Sequence, residues 1–385
     1  MTGVQTLFTY PFRIFFLSTA LWALLVIPVW LAILLSGLSV PLALPPVSWH
    51  QHEMLFGLLG PAIAGFLLTA VCVWTGTERC HGIPLFMLWL VWLLGRVSIA
   101  LGASLPEWLP LLINLVFLPL VILDAGWRIL QARQHRQLVV LLALLLLWSM
   151  QVAFLFAGRA VAVHAALMAA MLLMLVIGGR ITPAFSINWL KAAGQQTQAS
   201  QVRVLPWLER ALISVMLALF LAMLVAGSLA QAVLAISAAG LALIRLLLWR
   251  GWLTRREPLL WVLHLSLLWI PLSLLLLAGA ALDMLPASAW MHALGSGAMA
   301  NLILGVMSRV VLGHTGRPLT LPPGMVSAFL LLQGAALVRV ATAMLWIPWQ
   351  AGLVISSLGW CLAFGLFLWR YSGFLMSPRA DGRPG

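Results

Sequence analysis

The sequence predicts an all-α polytopic membrane protein of twelve transmembrane helices, and three observations carry that reading. Apolar residues make up 64 % of the 385 positions and charged residues only 8 %, with a mean hydropathy of +1.11, far from the composition of a soluble domain. Apolar runs of roughly 20 residues, each long enough to cross about 30 Å of hydrocarbon, repeat from end to end. The basic residues are divided unevenly between alternate loops. No stretch is long enough for a separate soluble domain, so 1–385 reads as a single membrane domain. The first span lacks a small-residue cleavage site and reads as retained.

The predicted spans fall near 15–37, 50–73, 84–104, 107–128, 137–158, 160–180, 207–227, 230–250, 258–280, 288–311, 323–345 and 347–370. Pro45-Pro46, Gly82 to Pro84, Pro183, Pro286, Pro318 and Pro322-Pro323 punctuate the joins, because proline and glycine interrupt regular backbone. Trp49, Trp108, Trp207, Trp290 and Trp346 are placed near interfaces, where an amphipathic indole prefers to sit. Of 21 basic residues, 17 fall on the side of the amino terminus. Arg159 alone lies in an opposite-side loop, and Arg96, Arg245 and Arg339 lie within spans. The positive-inside rule then puts both termini in the cytoplasm. The net charge of +13 is therefore a topology signal plus attraction to anionic membrane lipids. Its scatter over many loops, without aromatic interleaving, argues against nucleic acid.

With that topology four of the eight histidines share the outer face. His50 and His52 open the second span, His164 the sixth and His292 the tenth. Histidine is costly in hydrocarbon, so a layer at one depth points to bound metal. The same three spans end in Trp74-Thr75-Gly76, in Gly179-Arg180-Ile181-Thr182-Pro183, and in Ser308-Arg309 followed by Gly313 to Pro318. A recurrence every four spans predicts three pseudo-repeated four-helix units, 1–134, 135–257 and 258–385, which is how an internal repeat is recognised.

In Trp49-His50-Gln51-His52-Glu53, helical side chains advance by about 100° per residue. His50 and His52 then point to different partners, whereas His50 and Glu53 share a face. This casts Glu53 as a second-shell acceptor for His50. An interfacial loop with Glu53 as a cap is the other reading. The tenth span carries Ala293, Gly295, Ser296, Gly297, Ala298, Ala300 and Gly305. Small residues admit a neighbouring helix or a flat macrocycle beside His292. His52 and His292 together would supply the two imidazoles of a haem b iron, and His50 and His164 would suit copper. An inner group comprises His81, His264, His314, Arg13, Arg180, Arg309 and Arg317, with His81 read as a loop residue beside Cys80. His264 and His314 are metal-ligand candidates, and a turn hydrogen bond is the alternative for His314. Arg13, Arg309 and Arg317 have three candidate partners: haem propionates, lipid headgroups or backbone carbonyls. The three cysteines form no CxxC or c-type haem motif, and no P-loop, dinucleotide fingerprint or HExxH is present.

Tyr10-Pro11-Phe12-Arg13, Trp49 to Glu53, Trp74-Thr75-Gly76, Gly178 to Phe185 and Met307 to Arg317, in that order along nearly the whole chain, resemble the NnrS family. The resemblance implies a bacterial inner-membrane protein holding haem and copper, linked to nitric oxide metabolism and denitrification. It maps the family's motif histidines onto His50, His52, His164, His264, His292 and His314. The layout is also similar to the catalytic subunit of haem–copper oxidases and nitric oxide reductases. It departs from them in the seventh span, which lacks paired histidines, and in the tenth, where His292 has no second histidine two residues away. Fold likeness alone does not transfer activity. The expected partners are nitric oxide or a related nitrogen oxide, with quinol or another electron donor. A twelve-helix transporter of a small solute or metal is the alternative class, and the absence of carboxylates deep in spans argues against it. A sensor or scavenger of nitric oxide without turnover is the third reading.

Overall fold

The computed structural model describes residues 3–157 and 159–383. The Arg159 side chain, assigned to an opposite-side loop, lies outside the described residues. Among those residues every regular element is a helix. Twelve are long and apolar enough to cross a membrane: α1 (Pro11–Ser36), α2 (Pro46–Thr75), α3 (Gly82–Ala100), α4 (Trp108–Gln131), α5 (His135–Phe156), α6 (Val161–Ala192), α7 (Pro206–Val225), α8 (Ser228–Trp249), α9 (Pro258–Ala281), α10 (Ala287–His314), α11 (Met325–Ala343) and α12 (Trp349–Met376). Proline opens α1, α2, α7 and α9, where its missing N–H costs no helical hydrogen bond. Gly37 and Gly76, both at φ +67°, close α1 and α2 in the left-handed conformation glycine adopts without strain.

The packing divides the chain into two compact units. The first comprises Met1–Val163, Met307–Ala328 and Trp360–Gly385, the second His164–Val306 and Phe329–Gly359. The histidine-bearing helices are among the most enclosed. In the most apolar window, 78 % of α2, 78 % of α6 and 67 % of α10 is buried, against 33 % for α1, α5 and α7. Outward-facing leucines and valines such as Leu123, Leu142 and Val225 are exposed, as a lipid-facing surface requires.

Several predicted boundaries shift. Pro183 does not end α6, which runs on to Ala192. Pro28, Pro119 and Pro271 likewise sit inside α1, α4 and α9, because neighbours in a membrane bundle re-satisfy the backbone groups that proline frees. His314 is the last residue of α10 and not part of the turn that follows. Trp49 and Trp290 are buried, unlike the exposed Trp108, Trp207 and Trp346. The first two pack within the protein and are not interface anchors.

Two helices change their winding. In α2 an α-helical stretch, Pro46–His52, gives way to a π-helical turn, Glu53–Leu58, before α-helix resumes at Leu59. In α10 the sequence is the same: α over Ala287–His292, π over Ala293–Met299, then α again. Each π turn begins one residue after a histidine and holds a glycine five residues after it, Gly57 or Gly297. In α2 the cause is legible. Pro61 has no N–H for the carbonyl of Gly57 four residues earlier, and Trp92 Nε1 of α3 donates to that carbonyl instead at 3.0 Å. In α10 the Asn301 amide donates to the carbonyls of Ser296 and Gly297, both at 3.0 Å. π turns of this kind occur frequently at functional sites.

Candidate functional site

The first unit builds a polar cluster around His52, which is fully buried together with Glu53. His52 Nδ1 lies 3.0 Å from Glu53 Oε1. A carboxylate paired with arginine only accepts, so Nδ1 carries the proton. On the opposite edge, His52 Nε2 lies 3.3 Å from Gln151 Nε2 of α5. Gln151 Nε2 also donates to the Asn114 carbonyl at 3.2 Å, which fixes that atom as nitrogen. The amide therefore donates to His52 Nε2, and Nε2 holds a lone pair. Phe56 and Phe154 pack against the ring, with centroids 5.2 and 5.9 Å away.

Glu53 is in turn paired with Arg96 of α3, Oε2 to Nη1 at 3.4 Å, with Arg96 only 5 % exposed. Arg96 Nη2 bonds the Asn114 side-chain oxygen, and Asn114 is anchored by donating to the carbonyls of Pro110 at 2.7 Å and Gly95 at 3.1 Å. Gly57 lets this group close. A methyl at its α-carbon would stand 2.5 Å from Arg96 Nη1 and 2.9 Å from Trp22 Nε1, and closer still to Glu53.

Glu53 serves His52 and not His50, contrary to the helical-wheel expectation. The backbone at Glu53 is still helical, with φ −68° and ψ −33°, so the pairing is decided by the side chain, whose carboxylate turns toward His52 and Arg96. His50 instead stacks on Trp30 of α1, centroids 4.5 Å apart and planes inclined by 13°. The two histidines do face different neighbours. Glu53 is a carboxylate buried near the start of α2.

In the second unit, His292 Nδ1 lies 2.7 Å from the Ser288 carbonyl. A carbonyl only accepts, so Nδ1 is the protonated nitrogen here too and Nε2 carries the lone pair. The His164 ring lies 5.3 Å from that of Trp290, two residues before His292. His264 Nε2 bonds Ser186 Oγ at 3.0 Å, and its ring rests against Gly251. Arg245 of α8 pairs with Glu209 of α7 at 3.3 Å, donates to the Leu175 carbonyl at 2.8 Å and lies 4.4 Å from the Trp249 ring centre.

The remaining candidates gather in the first unit where α1, α10 and α12 reach their termini. Arg13 is fully buried, and its Nη1 donates to the carbonyls of Phe374, Leu375 and Ser377 at 3.2, 2.7 and 2.8 Å. It thus closes the carboxyl end of α12, whose last carbonyls lack helical partners. The His314 ring lies 5.6 Å from Phe12. Arg317 sits 4.2 Å over Phe374, and Arg309 is half-buried near the end of α10. Among the described residues, no three histidine, cysteine, aspartate or glutamate side chains converge as a metal-binding group.

The family described as NnrS protein matches residues 6–379. The chain belongs to the NnrS family. No curated protein matches it. In this NnrS protein the residues that sequence reasoning passed over are Arg96, Asn114 and Gln151, the framework of the His52 cluster. Their signal was present: each is a polar residue inside an apolar span, where such residues mark functional positions. The two imidazoles whose Nδ1–H is fixed by an oxygen, His52 and His292, have the donor chemistry of metal ligands at Nε2. The Glu53 carboxylate behind His52 is the partner that orients a ligating ring and raises its basicity. That donor set fits imidazole ligation of iron. His50, His164, His264 and His314 each offer an imidazole of their own.

Proposed function

We propose that this chain is a haem- and copper-binding protein of the bacterial inner membrane that acts in nitric oxide metabolism or in defence against nitrosative stress. The observation that carries the reading is His52: a fully buried ring, its Nδ1–H held by a buried carboxylate and its Nε2 left unprotonated, where it accepts from the Gln151 amide. His52 and His292 are each assigned as a candidate imidazole donor to haem b iron, and His50 and His164 each as a candidate donor to copper. His264 and His314 are further ligand candidates. Haem iron supplies binding and redox chemistry for a small gas such as nitric oxide. The protein's own residues do the rest. Glu53 fixes the His52 tautomer, Arg96 balances the carboxylate's charge inside the bilayer, and the surrounding aromatic rings exclude bulk water. Electrons would come from quinol or another membrane donor.

The test is purification in mild detergent from cells supplied with haem and copper, followed by absorption spectroscopy and metal analysis. A Soret band and bound copper are expected. His52→Ala and His292→Ala should each abolish or shift the haem band while the protein stays folded. His50→Ala and His164→Ala should lower copper content. A folded protein with no Soret band and no copper would overturn the reading. The buried Glu53–Arg96 pair also favours a second reading, a transporter of a small solute or metal. Metal released by mild chelation together with flux into vesicles would select it over a resident cofactor.

A further inference from the structure

Beside the His52 cluster, but not reached by its hydrogen bonds, the first unit contains a small cavity between α2, α3, α4 and α5. Phe56, Trp92, Arg96, Asn114, Phe117 and Gln151 are among the residues that line it, and its size suits about one water molecule. Two lining polar side chains have unmet hydrogen-bonding capacity. Arg96 Nε and Gln151 Oε1 are both buried and, among the described residues, have no hydrogen-bond partner. Arg96 is 5 % exposed and Gln151 is 2 % exposed.

One is a donor that never loses its proton, the other a carbonyl acceptor whose orientation is set by its sister nitrogen. Gln151 Nε2 is committed to the Asn114 carbonyl and to His52 Nε2, so the amide cannot turn over to relieve Oε1 without losing both. Leaving such groups unsatisfied forfeits the hydrogen bonds they made in water, and the cost is greater where the group is charged. Polar cavities of this size hold water, whereas cavities that stay dry are lined by apolar groups.

We propose that this cavity is a binding site for a single internal water molecule, which donates to Gln151 Oε1 and accepts from Arg96. The water closes the polar circuit around the candidate ligand. Arg96 holds Glu53, Glu53 holds His52 Nδ1, and the water holds the Gln151 amide whose nitrogen faces His52 Nε2. It makes Gln151 a positioning residue for the His52 ring. The site rests on the cavity and on the chemistry of Arg96 and Gln151, and not on any metal.

The experiment is a structure of the full chain in lipid nanodiscs at a resolution that shows ordered water, for the wild type, Gln151→Met and Val91→Leu. Gln151→Met removes the acceptor at nearly constant volume. Val91→Leu adds a methylene from a half-buried lining position and fills the space if the first variant fails to fold. In the wild type a density peak is expected within about 3.2 Å of both Gln151 Oε1 and an Arg96 nitrogen, and neither variant should show it. A featureless cavity in the wild type would overturn the proposal. So would xenon taking the cavity under pressure, which marks an apolar gas site, or a peak that persists in Gln151→Met.

Discussion

The π turn of α2 and the π turn of α10 are the same backbone device in two different chemical settings. Each follows a histidine whose Nδ1 hydrogen is given to an oxygen, and each places a glycine five residues on against a tryptophan. In α2 the oxygen belongs to Glu53, the glycine admits the Arg96–Glu53 pair, and the histidine is completely buried. In α10 the oxygen is the Ser288 carbonyl, the glycine lies closest to the neutral Trp269 ring, and Asn301 donates to the carbonyls of Ser296 and Gly297. The difference shows that the same winding presents an imidazole with its Nδ1 hydrogen given to a carboxylate in one helix and to a peptide carbonyl in the other. A buried carboxylate is a stronger acceptor than a peptide carbonyl, so the His52 ring is the more firmly held and the more basic of the two.

The largest effect that separates the two settings lies in the ion pair. Arg96→Met should destabilise the protein by about 3–5 kcal/mol, because it strands Glu53 as a buried lone charge. The double variant Glu53→Gln/Arg96→Met should recover most of that loss, since no uncompensated charge remains. Reversible unfolding in mixed micelles measures both. A single variant that costs nothing would break the comparison at its root. Next come the two glycines. Gly57→Ala and Gly297→Ala each force a methyl into occupied space, at about 1–3 kcal/mol for overpacking. Gly57→Ala should be the more damaging, because the atoms in its path are the Glu53 and Arg96 ends of the ion pair. It should also disturb whatever spectrum His52 contributes, and equal effects at both sites would erase the distinction. Smaller again is Asn301→Ala, which removes two hydrogen bonds to π-turn carbonyls. It should cost about 1 kcal/mol per bond and leave the His52 signals unchanged.

The twelve spans were legible because crossing a bilayer needs length and apolarity and little else, and both are local properties of the chain. The histidine-bearing helices were legible for the same reason. What the sequence hid follows from side-chain direction and from winding. A helical wheel assigns Glu53 to His50, but it does not show which way a carboxylate leans, and this one leans to His52 and Arg96. The π turns were hidden as well. For α2 a trace of the cause existed, since Pro61 removes the donor to Gly57. For α10 the equivalent cue is a single asparagine in a run of small residues, which reads equally well as close packing. Arg96, Asn114 and Gln151 lie on three different helices, and no spacing along the chain announces that they meet. Buried tryptophans misled for a related reason: Trp49 and Trp290 have the composition of interface anchors and the packing of core residues.

The two helices also leave their spans differently, and there the smallest effect is expected. α2 closes at Gly76 with Thr75 and Thr77 hydroxyls bonded at 2.8 Å, a neutral arrangement supplied by the adjoining chain. α10 is followed by Gly316 at φ +69°, and that turn is held by the carboxyl-terminal tail. Ala380 N donates to the Thr315 carbonyl at 3.0 Å, and Arg379 Nη1 donates to the His314 carbonyl at 3.1 Å. Arg379 is itself fixed by a two-point contact with Asp381, at 2.9 and 2.5 Å. That contact holds the Asp381 carboxyl down from its usual 3.8 to about 2. A carboxylate with a depressed folded-state pKa contributes in full above its unfolded value and loses that contribution as pH falls through the folded one. The tail should therefore stay docked above about pH 4 and loosen between pH 4 and 2, while the exit of α2 does not respond. Amide hydrogen exchange at Ala380, compared with Gly76 across that range, reads the difference directly. Asp381→Asn should loosen the tail already at neutral pH. Ala380 protection that is flat with pH and equal in the variant would show that backbone contacts alone dock the tail, making the two exits alike.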